Sequence, residues 1–224
     1  MFSLEKTREL DLREYINSAV WYALFWFVSF SFLLAFIGCD SVDKGTSILK
    51  PSAAADFANG DPAPHVLAVD LDGKAQELAR FQGKQGKTVL LNFWATWCGP
   101  CVQEMPALER LYQELHDQNF EIVAVSVDDN VAAVREFVKK NGLSFNVWHD
   151  PTFKTVRDFR VSGFPETFVI DRNGKFSALD DPELRRKTVR FIADRAWDTE
   201  VFIHQLRELA ARVLLGEDEA IAAR

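Results

Sequence analysis

Two patterns of apolar and polar residues divide the chain. No charged residue occurs between Glu14 and Asp40, and residues 19–38 are almost entirely apolar. A helix of this length extends about 30 Å, which matches the hydrocarbon core of a bilayer. From His65 onward, short apolar runs alternate with apolar residues at helical spacing. The pattern predicts a membrane segment followed by a domain of strands and helices.

Most elements of this domain can be placed from the pattern. Short apolar runs predict strands at Thr88–Trp94, Phe120–Val127, Phe145–Trp148 and Thr167–Ile170. Helical spacing predicts helices at Cys101–Asn119 (kinked at Pro106), at Val131–Val138 (stopped by Asn141-Gly142) and at Val201–Val213 (capped by Asp198 or Thr199). Asp150-Pro151 predicts the start of a further helix, and Asp171–Gly174 predicts a hairpin turn that leads into Gly174–Ala178. Because the hairpin comes late, we expect a mixed sheet with helices on both faces.

The apolar segment ends at Cys39, and its last residues resemble a bacterial lipoprotein cleavage site, with Gly38 before the cysteine and Leu33-Leu34 upstream. Three forms remain open: a cleaved chain with a lipid on Cys39, an uncleaved membrane helix, and a released domain. All three place the domain outside the cytoplasm, on the periplasmic or extracytoplasmic side of a bacterial cell envelope.

We therefore predict five segments. They are a cytoplasmic or signal n-region (1–18), a transmembrane anchor or lipoprotein signal (19–39), a linker of small, polar and proline residues (40–60), the domain (61–215) and a C-terminal tail (216–224).

Charge and cysteine content narrow the functional classes. The chain has 26 basic and 33 acidic residues, a net charge of −7. Nucleic-acid binding is not expected, because such proteins normally carry a basic surplus that neutralises phosphates. Three cysteines are too few for a disulfide framework.

Two of these cysteines lie where chemistry is expected. Trp97-Cys98-Gly99-Pro100-Cys101 falls between a predicted strand and a predicted helix. A cysteine at a helix N-terminus faces unpaired N–H groups and the positive end of the helix dipole, which favour the thiolate. The second thiol lies one turn away. We therefore expect Cys98 to be an exposed nucleophile and Cys101 to be a more buried resolving thiol.

Other interpretations of this pair are less favoured. A zinc site needs two further ligands, and the four histidines are scattered, so no metal site is predicted. A structural disulfide across two residues would close too small a loop to stabilise much. No cofactor is expected beyond a redox-active Cys98–Cys101 disulfide.

Asn92 to Cys101 resembles the active site of the thioredoxin superfamily. The following Val102–Pro106 and the Gly60–Pro64 entry resemble the membrane-tethered thiol–disulfide oxidoreductases of the TlpA/ResA type. This resemblance implies an α/β thioredoxin fold, with three α/β/α layers, a mixed central sheet and an extra strand–helix unit at Glu121–Trp148. It also implies an enzyme with Cys98 and Cys101 as catalytic residues, supported by Trp97, Gly99, Pro100 and Asn92.

The resemblance implies two further features of the site. Phe164-Pro165 matches a segment whose proline is cis and which binds an extended part of the substrate. Asn92 stands where thioredoxin has a buried Asp, so proton handling must use water or another carboxylate. Glu104 and Glu166 are close in sequence to the cysteines, but neither can be assigned a role. Glu166 is interpreted as solvent-facing, with a residue that tunes the site as the alternative. Asp180–Lys187 is interpreted as an exposed loop, with a partner-binding epitope as the alternative.

The expected activity is reduction of disulfides in substrate proteins, such as apocytochrome c or metal-delivery proteins. A membrane thiol electron donor would restore the reduced pair, and the N-terminal anchor would hold the domain near it. The alternatives are a disulfide oxidase or isomerase and a copper chaperone that uses Cys98, Cys101 and a histidine such as His149. A peroxidase lacks the expected Pro/Thr-framed cysteine, and a pure interaction module is the weakest alternative.

Overall fold

The strands with continuous apolar sequence form the centre of the fold. The computed structural model describes residues 56–215, with side chains up to Arg212. The strands are β1 (Leu67–Asp70), β2 (Ala75–Glu77), β3 (Thr88–Trp94), β4 (Phe120–Ser126), β5 (Asn146–His149), β6 (Glu166–Ile170), β7 (Leu179–Asp181), β8 (Arg186–Thr188) and β9 (Arg190–Ile192). The helices are α1 (Gly99–Leu115), α2 (Val131–Asn141), α3 (Lys154–Asp158) and α4 (Glu200–Leu215), with a 3-10 helix at Leu78–Phe81.

Seven strands make one mixed sheet in the order β2-β1-β5-β4-β3-β6-β9, and β7 and β8 make a separate hairpin. The pairs β3–β4 and β4–β5 are parallel, and the other neighbours are antiparallel. This confirms the predicted α/β fold with a mixed sheet. The predicted extra unit corresponds to β4, α2 and β5.

Strands β3 and β4 are buried at all seven of their positions, as expected for parallel strands covered on both faces. Helices α1 and α4 contact each other and β4. Phe57, in the predicted linker, stacks on Phe176 with ring centroids 4.5 Å apart.

The structure corrects three local predictions. The third helix begins at Lys154 rather than at Asp150-Pro151, because Phe153 adopts a left-handed conformation that interrupts the helical path. The carboxylate of Asp150 instead accepts the N–H groups of Thr152 and Thr155 and holds this turn. The turn at Asp171–Gly174 is present, but its second arm makes only two isolated bridges, from Lys175 to Pro62 and from Phe176 to Ile170.

The segment at Asp180–Lys187 is not a simple exposed loop, because it forms most of the β7–β8 hairpin. Its side chains are mostly exposed, but Asp181 is buried and pairs with Arg195 at 3.1 Å. The turn is fixed further where Asp181 accepts the N–H of Glu183.

The segments predicted at 1–18 and 19–39, most of the linker, Cys39 and the tail at 216–224 lie outside the described residues. Within residues 56–215, none of the helices combines the length and the apolar character needed to cross a bilayer.

Candidate active site around Cys98 and Cys101

Strand β3 and helix α1 position the two cysteines. Cys98 is the N-cap of α1 in an extended conformation, and its Sγ accepts the N–H of Cys101 at 3.3 Å. Pro100 lies in the first turn, where its missing N–H leaves no helical bond unmade. Cys98 and Cys101 are joined by a disulfide. The sequence thus brings the pair to the helix terminus that favours a thiolate once the bond is reduced.

The two cysteine residues differ in their exposure to solvent. Cys98 is 7% exposed and Cys101 is 0% exposed. The expectation of an exposed Cys98 therefore needs correction, because only an edge of this residue reaches the surface. The order of the two is as expected, so an incoming thiolate or disulfide can reach Cys98 but not Cys101.

An aromatic surface adjoins Cys98. Trp97 is 65% exposed, and its ring meets the Phe164 ring edge-on at 6.0 Å. The Phe164–Pro165 peptide bond is cis, as the resemblance implies. A Cβ at Gly99 would meet no atom within 4 Å, so the space above this position is open. A partner chain can therefore approach Cys98 between Gly99 and the aromatic pair.

A buried carboxyl lies one turn beyond Cys101 on α1. Glu104 is 3% exposed, and one of its oxygens accepts a hydrogen bond from Asn92 Nδ2 at 2.7 Å. The other accepts the backbone N–H of Arg195 at 3.3 Å and Trp197 Nε1 at 3.2 Å. Burial raises the pKa of Glu104 to about 7, against the lowering effect of these three donors. Glu104 can therefore exchange a proton near neutral pH.

Asn92 links this carboxyl to the sheet. Its amide nitrogen also donates to Thr167 Oγ1 at 2.9 Å, on the neighbouring strand β6. Asn92 Oδ1 is buried and has no hydrogen-bond partner among the described residues. A rotated amide would turn this oxygen toward Glu104, so Asn92 can pair with either protonation state of the carboxyl.

Glu166 is not solvent-facing as expected, because it is 0% exposed. One oxygen accepts the N–H and hydroxyl of Ser162, at 2.9 and 3.0 Å. The other lies 3.3 Å from Arg190 Nε, and Arg190 also pairs with Asp56. Glu166 therefore anchors the loop before Pro165 to the edge strand β9.

His149 does not join the cysteine pair. Its Nε2 lies 2.6 Å from the backbone oxygen of Asp128. Within the described part of the chain, no group of three or more His, Cys, Asp or Glu side chains could hold a metal ion. The copper-chaperone alternative therefore loses His149, the histidine named as its example of a third ligand.

Two residues of the site were not predicted from the sequence. Arg195 and Trp197 reach Glu104 from a segment about ninety positions later in the chain. The only available signal was that Arg195–Asp198 resembles the closing segment of the TlpA/ResA branch.

Comparison with known proteins gives consistent similarities. Residues 59–178 match the model of the AhpC/TSA family. The chain is 40% identical over 116 residues to the thiol-disulfide oxidoreductase ResA of Bacillus cereus, a match that covers 52% of this chain and 65% of that protein. It is 35% identical over 133 residues to ResA of Geobacillus thermodenitrificans, covering 59% of this chain and 75% of that protein.

A solved structure is similar over most of the described part. A crystal structure described as that of a thiol:disulfide interchange protein DsbE from Chlorobium tepidum superposes with a TM-score of 0.57 and 30% identity. The superposition covers 69% of this chain and 99% of that one. The match to the Bacillus relative spans less than two thirds of its length.

Proposed function

Because the chain belongs to the AhpC/TSA family of thioredoxin-like proteins, we propose that it is an extracytoplasmic thiol–disulfide oxidoreductase that reduces disulfides in substrate proteins. One observation carries this proposal. The Cys98–Cys101 disulfide caps α1, and only Cys98 reaches the surface, beside Trp97 and Phe164. The names of the relatives support the same chemistry, since they are thiol-disulfide oxidoreductases.

The reaction begins with the reduced pair. The Cys98 thiolate attacks one sulfur of a substrate disulfide, the other substrate sulfur leaves as a thiolate, and a mixed disulfide forms. Cys101, as a thiolate, then attacks Cys98 Sγ and releases the second substrate sulfur. Two electrons pass to the substrate, which becomes a dithiol. The enzyme is left with the Cys98–Cys101 disulfide that the structure contains.

Glu104 can accept and donate a proton, which Asn92 cannot do because its amide does not titrate. Cys101 is fully buried and must lose its proton before it can resolve the mixed disulfide. Glu104 lies one helical turn away, and its pKa of about 7 suits a group that alternates between accepting and donating a proton. We propose that Glu104 accepts the proton of the Cys101 thiol. The side chain of Glu104 is positioned by its hydrogen bonds with Asn92, Arg195 and Trp197.

The aromatic pair and the cis proline would bind the substrate. Trp97 and Phe164 offer an apolar surface beside Cys98, and the backbone at Pro165 can lie along an extended substrate segment. Disulfide-bearing proteins such as apocytochrome c or metal-delivery proteins are the proposed substrates. This part of the proposal rests on the family resemblance.

The proposed direction and location of the reaction rest on the apolar segment at 19–39. Its length supports an anchor that holds the domain on the extracytoplasmic side. Thiols there tend to be oxidised, so a membrane thiol donor is needed to restore the reduced pair. We expect a reduction potential nearer to about −270 mV, as in thioredoxin, than to about −120 mV, as in DsbA.

The test is the redox state of the pair in cells, read by an acid quench and a heavy alkylating reagent that shifts the mass of each free thiol. The Cys39→Ser variant removes the third cysteine from the count. A mostly reduced pair, together with a Cys101→Ser variant that accumulates mixed disulfides and a Cys98→Ser variant that does not, supports the reductase. A mostly oxidised pair would contradict a reductase and favour an oxidase or isomerase. Absence of mixed disulfides in Cys101→Ser would overturn the exchange chemistry itself.

A further inference from the structure

A basic groove lies along the edge strand β9 and the β7–β8 hairpin, and of the residues assigned a role in the reaction only Arg195 lines it. Its volume is about 960 Å³. Seven lysine and arginine side chains line it against two aspartates, although the whole chain carries a net charge of −7. This local excess of positive charge is opposite in sign to the rest of the protein and indicates an anionic partner.

Four of these seven cations form no ion pair within the described part of the chain. Lys175, Arg186, Lys187 and Arg212 are exposed, and none of them forms an ion pair with another residue in the range 56–215. The cations nearer the sheet differ, because Arg190 pairs with Asp56 and Glu166, and Arg195 pairs with Asp181 and Glu183. The outer rim of the groove therefore presents these four cations.

Exposed aliphatic side chains share this rim. Leu184 is 46% exposed and Ile192 is 50% exposed, and both line the groove. They are two of five large hydrophobic residues that are exposed in the described part of the chain. Aliphatic groups among cations favour a membrane interface, because the aliphatic groups enter the headgroup layer while the cations meet lipid phosphates.

The groove also lies where the chain enters the domain. Residues 56–60 line it, and the predicted linker and membrane segment precede them. The groove extends from Thr88, the first residue of β3, to Ile192, which pairs with Glu166 opposite Phe93 near the other end of that strand.

We propose that the basic groove docks the domain on an anionic phospholipid surface. This inference rests on the proposed membrane anchoring. The anchor holds the groove at a high local concentration next to the bilayer, so a weak contact is enough. Each lysine or arginine near an anionic bilayer surface favours the docked state about fivefold.

The experiment uses the full chain with vesicles of phosphatidylcholine alone, or of phosphatidylcholine and phosphatidylglycerol in equal parts. Amide hydrogen exchange is followed in residues 184–192. We expect exchange to slow several-fold with the phosphatidylglycerol mixture only. The double variant Arg186→Glu/Lys187→Glu should lose this protection, because removing two cations alone lowers the docking equilibrium about 25-fold.

A matched control carries the same change in charge elsewhere. Lys139 and Lys140 are exposed at the end of α2, outside the groove, and their double change to Glu should keep the protection. Equal exchange in the two vesicle types, or equal loss in the control, would overturn the proposal. So would the same protection by inorganic phosphate added to phosphatidylcholine vesicles, which would identify a free anion as the ligand.

Failure of the anchor gives a different result. Flotation with phosphatidylcholine vesicles at high salt reports the anchor, since electrostatic contacts are screened there. If the chain does not float, the proposed anchoring is wrong, and only the groove can bind the chain to phosphatidylglycerol vesicles at low salt. Flotation with these vesicles that is lost in Arg186→Glu/Lys187→Glu would support docking through the groove. Absence of flotation with them would refute it.

Discussion

The buried carboxyl of Glu104 should make the oxidised protein less stable as the pH rises. Its pKa is about 7 in the folded protein, against an ordinary value of 4.5 for a glutamate in water. Between these values the folded state binds a proton that the unfolded chain has released. The stabilisation is therefore complete below about pH 4.5 and is lost as the pH rises through about 7.

The size of the effect follows from the same values. A tenfold change in the proton-binding constant corresponds to about 1.4 kcal/mol. The rise in the pKa of Glu104 from 4.5 to about 7 therefore amounts to about 3 kcal/mol. Glu104→Gln removes the titration and keeps the shape. It should match the parent near pH 4.5 and exceed its free energy of unfolding by about 3 kcal/mol above pH 8.

The assay is urea unfolding of both proteins at several pH values, with the disulfide intact so that neither Cys98 nor Cys101 titrates. The difference between the two proteins isolates Glu104 from the other carboxylates. Glu136→Gln, at an exposed position of α2, is the control and should follow the parent at every pH. A constant difference between Glu104→Gln and the parent across this range would refute the argument, because it would mean that Glu104 does not change its protonation there.

Three further changes test other parts of the structure. Trp97→Ala should slow reduction of a protein disulfide such as that of insulin about tenfold, while reduction of a small aromatic disulfide stays the same; equal slowing of both would remove Trp97 from substrate binding. Asp181→Ala leaves the buried Arg195 without its main ion-pair partner. The free energy of unfolding, measured in urea, should fall by about 3 kcal/mol. A loss below about 1 kcal/mol would mean that Glu183 alone is enough to stabilise the Arg195 charge. Asn130→Ala removes the cap on the N–H of Ala132 and should lower the thermal midpoint in proportion to about 1 kcal/mol, and an unchanged midpoint would contradict this.

The central elements were predictable because their signals are local. The run Thr88–Trp94 is apolar at nearly every position, so it is recognisable as a buried strand without knowledge of its neighbours. The placement of Cys98 before a helix then followed from the pattern alone. By contrast, β1, β2 and β9 have three or four residues each and are defined by their partners in the sheet. Such short strands carry too little periodicity to be found from sequence.

The environment of the carboxyls was not predictable for a different reason. Glu104 and Glu166 are both charged residue types near the cysteines, and sequence gives no measure of their burial. Burial of Glu104 depends on Trp197, and that of Glu166 on Arg190, which are distant along the chain. Only folding brings these partners together, and with them the pKa that suits Glu104 to proton transfer.

The position of Phe57 determines where this domain can be cut for recombinant production. Its ring covers Phe176 and lies 6.1 Å from Phe168, and Arg160 and Arg190 lie over it. A fragment that starts at Asn59, where the match to the family model begins, would uncover these aromatic rings and remove the Asp56 carboxylate from Arg190. An expression boundary ahead of Asp56 keeps the aromatic cluster closed and gives the fragment suited to crystallisation and NMR.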